Sequence, residues 1–238
     1  MKCYIDLHIH SVLSPCADLI MTSKPIISKL KKNNIYIFAI TDHNSGKNLD
    51  IFELMAKKEN MILIYGMEVQ TIEETHILVY FKNIADFREV EKIVYNRLPN
   101  IKNREDIYGY QLILNENDDY CEKEEKLLSG STEISIDELY KIVRERDGII
   151  IPAHIDRSNS IISNLGYIPE IDFDGFEIYN RQKIEKIKEK YHINKPIFSS
   201  FDAHFLDGIE SPKMEIDIDE FNIESIFKSI KNGKIKVI

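Results

Sequence analysis

Short, strongly apolar runs alternate along the chain with longer stretches in which apolar residues recur at helical spacing. Runs that are apolar on both faces are typical of parallel strands covered on both sides. They predict strands over residues 3–8, 36–40, 62–67, 77–81, 148–153, 175–179 and 196–201. The other stretches predict helices over residues 25–32, 48–59, 85–97, 136–146, 182–191 and 222–231.

This alternation favours an α/β fold with a parallel sheet. About seven strands in 238 residues are what a compact, distorted (β/α)7 barrel of the TIM-like type would need, with a doubly wound open sheet as the alternative. Residues 69–80 could form a hairpin that turns at Glu73 and Glu74, so the sheet would not be purely parallel. Ser135 or Thr132 could cap the helix that begins at residue 136.

Residues 99–133 interrupt this rhythm and contain no clear strand. Within them, residues 115–126 are strongly acidic. A charge run of this kind is typical of a solvated excursion, whereas a lid over the functional site is the alternative. We therefore expect a single domain over residues 1–238, with residues 99–133 as an insertion or a lid.

The composition narrows the possible partners. With 31 basic and 40 acidic residues the net charge is −9, which argues against a purely electrostatic grip on long nucleic acid or an anionic membrane. No run approaches the roughly 18 apolar residues of a membrane helix, and residues 1–6 lack a signal-peptide layout. Cys3, Cys16 and Cys121 fit no CxxC pattern. We expect a cytoplasmic protein with reduced thiols; its oligomeric state is not indicated.

Six of the seven histidines fall at or near the ends of predicted strands, in the company of carboxylates. These residues are His8, His10, His43, Glu68, His76, His154, Asp202 and His204. In a parallel barrel the carboxyl ends of all strands meet on one face, so these side chains would lie close together. His192 is different, because it ends a predicted helix with no carboxylate nearby, and we expect it to be structural.

Imidazole and carboxylate donors without a thiolate suit Zn²⁺, Mn²⁺ or Fe²⁺. The H-x-H pair at His8 and the D-x-H pair at Asp202 place alternate side chains on the same side of an extended chain. The donors are too many for one ion. Two or three divalent ions, with Glu68 as a bridging carboxylate, would use them all.

Six motifs, in this order, resemble those of the polymerase-and-histidinol-phosphatase (PHP) family of metal-dependent phosphoesterases. They are DLHIH (6–10), TDHN (41–44), GMEV (66–69), THIL (75–78), PAHIDR (152–157) and SSFDAH (199–204). The resemblance covers nearly the whole chain. It implies a distorted (β/α)7 barrel and hydrolysis of a phosphate ester by a hydroxide that the metals generate from water.

The resemblance also implies three metal sites. The first would be held by His8, His10, Glu68 and Asp202, and the second by Glu68, His76 and His154. The third would be held by His43, His204 and one ligand from the first loop. Many relatives have that ligand about five residues after the second histidine of the H-x-H motif, where this chain has Pro15. Asp18 is the only acid nearby and is the expected ligand, with Cys16 as a softer alternative.

Other polar residues lie close to the predicted strand ends. Arg157 and Arg181 could clamp a phosphate, with Asn180 beside them, or the arginines could form surface salt bridges. Glu68, Asp202 and Arg157 would then take part in catalysis. Asp6 and Asp42 precede ligand histidines and could orient an imidazole N–H or accept from a loop amide.

The substrate would be a small phosphorylated molecule or a short nucleic acid, cleaved at a mono- or diester. An amidohydrolase-like enzyme is one alternative, although no predicted strand ends in the lysine that such sites often carboxylate. A non-catalytic, metal-stabilised binding module is the other. No glycine-rich phosphate loop and no G-x-S-x-G nucleophile motif are present.

Overall fold

The computed structural model describes residues 1–238, which form eleven strands and eight α-helices. The strands are β1 (Lys2–Asp6), β2 (Ile35–Ile40), β3 (Ile62–Gln70), β4 (His76–Phe81), β5 (Leu112–Leu114), β6 (Tyr120–Lys123), β7 (Ile149–Pro152), β8 (Phe176–Glu177), β9 (Ile197–Phe198), β10 (Met214–Asp217) and β11 (Ile235–Val237). The helices are α1 (Ser23–Lys32), α2 (Leu49–Lys58), α3 (Ile84–Asn96), α4 (Glu105–Tyr108), α5 (Ile136–Arg144), α6 (Ile161–Leu165), α7 (Ile184–Tyr191) and α8 (Ile223–Lys231). None of these helices combines the length and the apolar character that a transmembrane span requires.

Seven strands form one curled sheet in the order β11-β10-β1-β2-β3-β4-β7. The pairs β1–β2 and β2–β3 are parallel, and the other four pairs are antiparallel. Strands β8 and β9 form a separate parallel pair, and β5 and β6 form an antiparallel hairpin. The architecture is therefore a mixed α/β half-barrel, in which the parallel core occupies the middle of the sheet.

Backbone hydrogen bonds link five strands of this sheet to the β8–β9 pair, so that together they form a ring at one end of the molecule. Ile9, just beyond β1, forms a bridge with Ala203, and His10 N donates to Ala203 O at 3.0 Å. On the opposite side, Ile155 N donates to Glu177 O at 2.8 Å. Seven strands (β1, β2, β3, β4, β7, β8 and β9) thus surround one end of the molecule. The predicted distorted barrel is confirmed, and the doubly wound alternative is wrong.

The predicted hairpin is also confirmed. Strands β3 and β4 are antiparallel, with Glu68 opposite Leu78 and Gln70 opposite His76. The turn between them places Glu74 at a φ of 58°, in the left-handed region. Because of this reversal, His76 enters the site from the beginning of its strand, whereas His43 and His154 follow the ends of theirs.

The strands are apolar on both faces because each face packs against a separate core. Phe38 and Ile40 of β2 belong to the larger cluster, which includes residues of α1, α2, α3 and α5. Ile37 and Ala39 of the same strand belong to a second cluster, which includes residues of α8. Burying a large apolar side chain contributes roughly 1.5–3 kcal/mol, so two filled faces stabilise the frame that positions the site.

Four strands were not predicted from the sequence. The prediction that residues 99–133 contain no strand is wrong, since β5 and β6 lie there; β5 has three residues, and β6 is exposed throughout. Strands β10 and β11 were also missed, because each is short and alternates apolar with charged residues. Their antiparallel pairing extends the sheet beyond β1 without taking part in the ring.

The segment 99–133 is joined to the barrel by specific hydrogen bonds. The Asn48 side chain accepts from Leu114 N at 2.9 Å and donates to Leu112 O at 3.1 Å. Gly109, with φ of 99°, lies against the first loop, where an added Cβ would come within 2.1 Å of Pro15 O. The positive φ and the lack of space for a Cβ both require glycine at this position. The contact places the segment 99–133 directly on the loop that carries Cys16.

The acidic run in this segment is more than a solvated surface. Asp118 accepts hydrogen bonds from Thr22 Oγ1, Ser23 N and Oγ, and Lys24 N, at 2.6–3.0 Å. Thr22 itself provides no side-chain cap for α1. A carboxylate at a helix N-terminus satisfies free N–H groups and interacts favourably with the helix dipole. Asp118 therefore caps α1, although it lies 94 to 96 positions further along the chain than the residues it binds.

Candidate metal centre

Eight of the nine predicted metal ligands meet inside the ring of strand ends. Strand β3 carries Glu68, β4 begins with His76, and the others lie just beyond the ends of β1, β2, β7 and β9; they are His8, His10, His43, His154, Asp202 and His204. All of these side chains except His204 are less than about one-eighth exposed. The barrel topology thus brings together residues up to 196 positions apart.

Four donors surround a common point at the mouth of β1. His8 Nε2 and His10 Nε2 lie 3.1 Å apart, and each lies 3.4 Å from Asp202 Oδ1. The Glu68 carboxylate is 3.3 Å from His8 Nε2 and 3.5 Å from His10 Nε2. Donors that share one tetrahedral ion are about 3.3–3.6 Å apart, given metal–nitrogen and metal–oxygen distances of about 2.0–2.2 Å. These four groups fit one divalent ion.

Glu68 also contacts the remaining imidazoles. Its Oε1 lies 3.0 Å from His76 Nδ1 and 3.1 Å from His154 Nε2, and its Oε2 lies 3.0 Å from His43 Nδ1. One carboxylate therefore faces five histidines, which lie at the ends of four strands, β1, β2, β4 and β7. This is the position that a bridging ligand between two ions would occupy.

Charge and burial favour the metal-binding protonation state of Glu68 and of two histidines. Burial would raise the pKa of Glu68, but His76 and His8 oppose this, and the net pKa is well below the usual range. Burial and the neighbouring His204 hold the pKa of His10 well below its usual value. Burial likewise lowers the pKa of His43. For His8 and His154 burial acts to lower the pKa, but Glu177 beside His8 and Glu68 beside His154 outweigh it and raise the pKa of each imidazole. An ionised carboxylate and neutral imidazoles are the forms that coordinate a cation.

Two further observations indicate that these residues hold something other than each other. Although His43 Nδ1 lies close to Glu68, it has no hydrogen-bond partner, and neither does the buried Nδ1 of His154. Buried polar atoms are nearly always paired, so such exceptions need an explanation. His154 and Asp202 also have positive φ angles of 24° and 50°, a strained conformation that concentrates at functional sites. The donor set fits divalent metal ions.

Glu177 is a functional candidate that sequence reasoning missed. Its Oε2 accepts from His8 Nδ1 at 2.9 Å and from His154 N at 3.0 Å, and the residue is 1% exposed. A carboxylate on the second ring nitrogen fixes the tautomer and the orientation of a ligand histidine. The available signal was a single charged residue within the otherwise uncharged strand predicted over residues 175–179.

Asp42 and Asp6 use their buried carboxylates differently. Asp42 accepts from Ser14 Oγ at 2.6 Å, and Ser14 Oγ lies 2.9 Å from His10 Nδ1, so Asp42 positions His10 through a serine. Asp6 instead accepts from His8 N and Phe201 N at 3.1 and 3.0 Å. It thereby ties the end of β1 to the loop after β9. Burial raises the pKa of Asp6 to about 8 and that of Asp42 to about 6.

The first loop brings Cys16, rather than Asp18, next to the cluster. Cys16 Sγ lies 3.3 Å from His43 Nε2. Asp18 is exposed, and its backbone N–H donates to His204 O at 2.8 Å. Neither the Asp18 carboxylate nor the Cys16 sulfur belongs to the three groups of close donors. Those groups are His8, His10 and Glu68; His43, Glu68 and His76; and His10, His43 and His204.

The predicted substrate residues line one open groove of about 520 Å³ beside the cluster. Arg157 reaches the cluster itself, since its Nη1 donates to Asp202 Oδ2 at 2.6 Å. Arg181 donates to the carbonyl of Ile238, and Asn180 accepts from Gln182 N at 3.0 Å. The structure therefore places Arg157 against a proposed ligand, while Arg181 and Asn180 stand further along the groove.

Lys213 lies beside Tyr179, whereas His192 lies at the end of α7. Lys213, which the sequence did not single out, donates to Ser200 O at 3.0 Å and lies 4.5 Å above the ring of Tyr179. The Arg157 guanidinium lies 4.4 Å from the same ring. His192 is exposed at the end of α7, with φ of 53°, and belongs to none of the donor groups.

A model of the PHP domain family matches residues 6–193. The chain belongs to the PHP family. The match covers five of the six ligand-bearing motifs, and the sixth, at residues 199–204, lies just beyond it. No curated protein matches the chain.

Solved structures of similar fold include two of endonuclease Q. The lesion-specific endonuclease PfuEndoQ from Pyrococcus furiosus is 20% identical, with a TM-score of 0.69, and the match covers 100% of this chain and 58% of that chain. Endonuclease Q in complex with a 27-mer duplex that has an abasic lesion at the active site is 19% identical, with a TM-score of 0.65 and the same coverage. The chain thus spans about 58% of the length of these proteins.

A third similar structure is a two-domain protein from Bacteroides vulgatus that contains a predicted PHP-like metal-dependent phosphoesterase. It is 14% identical, with a TM-score of 0.58, and the match covers 99% of this chain and 64% of that chain. At these identities the three structures show a shared fold, the distorted TIM-like barrel of PHP proteins.

Proposed function

We propose that this chain hydrolyses a phosphate mono- or diester in a nucleotide, a short oligonucleotide or a phosphorylated metabolite. The observation that carries the proposal is the set of four donors around one point, joined through Glu68 to three further histidines. Multinuclear sites of imidazole and carboxylate ligands are typical of metal-assisted hydrolysis of phosphate esters.

Two or three divalent ions, Zn²⁺, Mn²⁺ or Fe²⁺, are the proposed cofactors. The first would be held by His8, His10, Glu68 and Asp202, and the second by Glu68, His76 and His154. His43 and His204 would hold the third together with a residue of the first loop, for which the sequence predicts Asp18, with Cys16 as the alternative. When bound, such ions lower the pKa of a coordinated water and neutralise charge on phosphoryl oxygens.

The protein itself supplies orientation and charge. Glu68 and Asp202 stay ionised in the buried site, since the pKa of each carboxyl lies below its usual range, and they are the proposed catalytic carboxylates. Arg157 binds Asp202 through one Nη atom, which leaves further N–H donors for a phosphate oxygen. Arg181 and Asn180, in the same groove, would contact the rest of the substrate.

A short nucleic acid is one of the proposed substrates. The similar endonuclease Q acts on duplex DNA with an abasic lesion, and the groove here is lined by Arg157, Arg181 and Lys183, three cations in a protein of net charge −9. Cations beside a metal site attract phosphates locally even when the whole protein is acidic. A small phosphomonoester fits the same cations, so both classes belong in the test.

The test is a substrate panel on protein of measured metal content. It compares a nitrophenyl phosphomonoester, the corresponding diester, nucleotides, and short oligonucleotides with and without an abasic site. Asp202→Ala and His43→Ala should lower both metal content and turnover, whereas Glu116→Gln, an exposed residue, should change neither. Full metal occupancy without turnover of any phosphoester would overturn the enzyme and favour a binding module. Unchanged metal content in both variants would overturn the site.

A further inference from the structure

The first loop presents a sulfur donor to the metal centre. Cys16 Sγ lies 3.3 Å from Nε2 of His43, while Nδ1 of the same ring faces Glu68 at 3.0 Å. His43 is 6% exposed, and its Nδ1 has no hydrogen-bond partner. The thiol therefore does not stand alone on the surface, because it touches a buried imidazole that also touches the cluster.

The same region contains a group of nitrogen donors without a carboxylate. The ring nitrogens of His10, His43 and His204 lie within 4.8 Å of one another. His204 Nδ1 lies 2.9 Å from the carbonyl oxygen of Asp202. Since a carbonyl only accepts, Nδ1 carries the proton, and Nε2 of His204 is left with a free lone pair. His10 is used by the first group of donors, so His43 and His204 need another ligand.

Distances favour the thiol over the nearby carboxylate. A zinc–sulfur bond of about 2.3 Å and a zinc–nitrogen bond of about 2.0–2.1 Å, at a tetrahedral angle, place the two donors about 3.5 Å apart. The observed separation of Cys16 Sγ and His43 Nε2 is 3.3 Å. Cys16 and Asp18 both lie outside the three donor groups, and of the two only Cys16 has a side-chain atom within hydrogen-bond distance of a site histidine.

We propose that the Cys16 thiolate, and not the Asp18 carboxylate, is the first-loop ligand of an ion held by His43 and His204. The inference rests on the metal centre proposed above. When the ion binds, the sulfur–metal bond replaces the S–H bond, and the thiol proton is released to solvent. Sulfur beside imidazole selects Zn²⁺ or Fe²⁺ over Mn²⁺ and Mg²⁺, so this position would differ in metal preference from its carboxylate-rich neighbours.

Cobalt provides a direct readout of the sulfur ligand. Protein stripped of metal and reloaded with Co²⁺ should show a thiolate-to-cobalt charge-transfer absorption in the near ultraviolet. The band should vanish in Cys16→Ser and persist in Cys121→Ser and Asp18→Asn. Cys16 is exposed, so serine should leave the thermal unfolding of the stripped protein unchanged.

Alkylation gives an independent measurement on the unmodified protein. Zn²⁺ should slow the reaction of N-ethylmaleimide with Cys16 at least tenfold and leave the reaction of Cys121, which is also exposed, unchanged. Equal rates with and without Zn²⁺, with no charge-transfer band, would reduce the contact to a thiol–imidazole hydrogen bond and overturn the inference. Loss of one ion in Asp18→Asn but not in Cys16→Ser would overturn it as well. Failure of the protein to bind any metal would instead overturn the proposed metal centre.

Discussion

Two regions of this molecule bury polar side chains, and they use them in opposite ways. At the strand ends, ligand atoms face each other at 3.0–3.5 Å, and two buried imidazole nitrogens have no hydrogen-bond partner. Where the segment 99–133 meets the barrel, three amide side chains use both their oxygen and their nitrogen. They are Asn44, Asn48 and Gln111.

This difference distinguishes polar contacts that stabilise the fold from polar groups that form the candidate site. The Gln111 amide donates to Glu124 O and Lys126 O and accepts from Leu128 N, at 2.8–2.9 Å, so its buried groups are satisfied within the fold. The centre around Glu68 instead leaves Nδ1 of His43 and Nδ1 of His154 without a hydrogen-bond partner. A buried polar cluster that converges on one carboxylate and leaves ring nitrogens unpaired is therefore a better indicator of a site than burial or polarity alone.

The largest effect should come from Glu68→Gln. The change removes the only carboxylate that faces all the inner histidines, so we expect loss of at least one ion per chain. Loss of an outer partner of a metal ligand costs up to about 100-fold in activity. Because Glu68 is itself a proposed ligand, phosphoesterase activity should fall by more than that. Elemental analysis and single-substrate kinetics measure both. Glu116→Gln is the matched control, and full metal content in Glu68→Gln would contradict the bridging role.

Glu177→Gln should have a smaller effect at the same centre. A neutral amide can still accept from His154 N but no longer holds the His8 N–H with a negative charge. We expect metal affinity to fall about 10- to 100-fold, measured by competition with a chromogenic chelator. Glu185→Gln, on the exposed side of α7, should bind metal like the unmodified protein. Equal affinities for the two variants would make Glu177 purely structural.

Asn48→Ala tests the other region. It leaves Leu112 O and Leu114 N without their side-chain partner in a buried contact, so the free energy of unfolding should fall by about 1–3 kcal/mol. Metal content should stay the same. Urea denaturation measures the change, with Asn194→Ala at an exposed position as the control. Loss of metal in Asn48→Ala would show that the two regions are not independent.

Asp118→Ala should cost less. It removes the cap of α1, and such losses are typically about 1 kcal/mol, within a range of about 0.5–2 kcal/mol. Asp119→Ala, one residue away and exposed, should leave the free energy of unfolding unchanged. If both variants lost the same stability, general acidity of the segment and not the cap would be responsible.

The smallest effect should come from an exposed ion-pair group. Hydrogen bonds from Lys231 and Lys82 lower the pKa of Asp147 to about 2. Because the folded-state pKa lies below the unfolded one, this stabilisation is complete above about pH 4 and is lost as the pH falls towards 2. Asp147→Asn should lower the free energy of unfolding by less than about 1 kcal/mol at pH 7, since Asp147 is 65% exposed. The gap should shrink in urea titrations at pH 3, and a pH-independent gap would contradict the assignment.

The cluster of proposed ligands could be predicted because its residue types are conspicuous after apolar strands and the barrel brings strand ends together. Glu177 was missed because it lies inside a strand, where a charged residue reads as a surface position. Cys16 and Asp18 show a different limit. The loop that carries them is irregular, and its path is set by contacts such as that of Asp18 N with His204 O. This path decides which of the two side chains contacts the histidines.

Some strands of the fold could likewise be predicted from the sequence, and others could not. Strands with two apolar faces, such as β2, could be predicted to within a residue or so, since both faces are buried. Strands β6 and β11 could not, because their pairing rests on a partner strand and not on an apolar face of their own. Long-range polar contacts such as Asp118 on α1 have no local pattern at all.

Asn44 has a consequence for anyone redesigning this protein. It follows His43 directly, and its amide donates to Leu128 O and Gly130 O and accepts from Gln70 N. Removing residues 99–133 to obtain a minimal barrel would leave the Asn44 amide without these two acceptors. It would also loosen the backbone beside His43, a proposed ligand. A graft that keeps residues 128–130 and the buried strand β5, and replaces only the exposed strand β6, would leave the anchor in place and make the segment a site for new specificity.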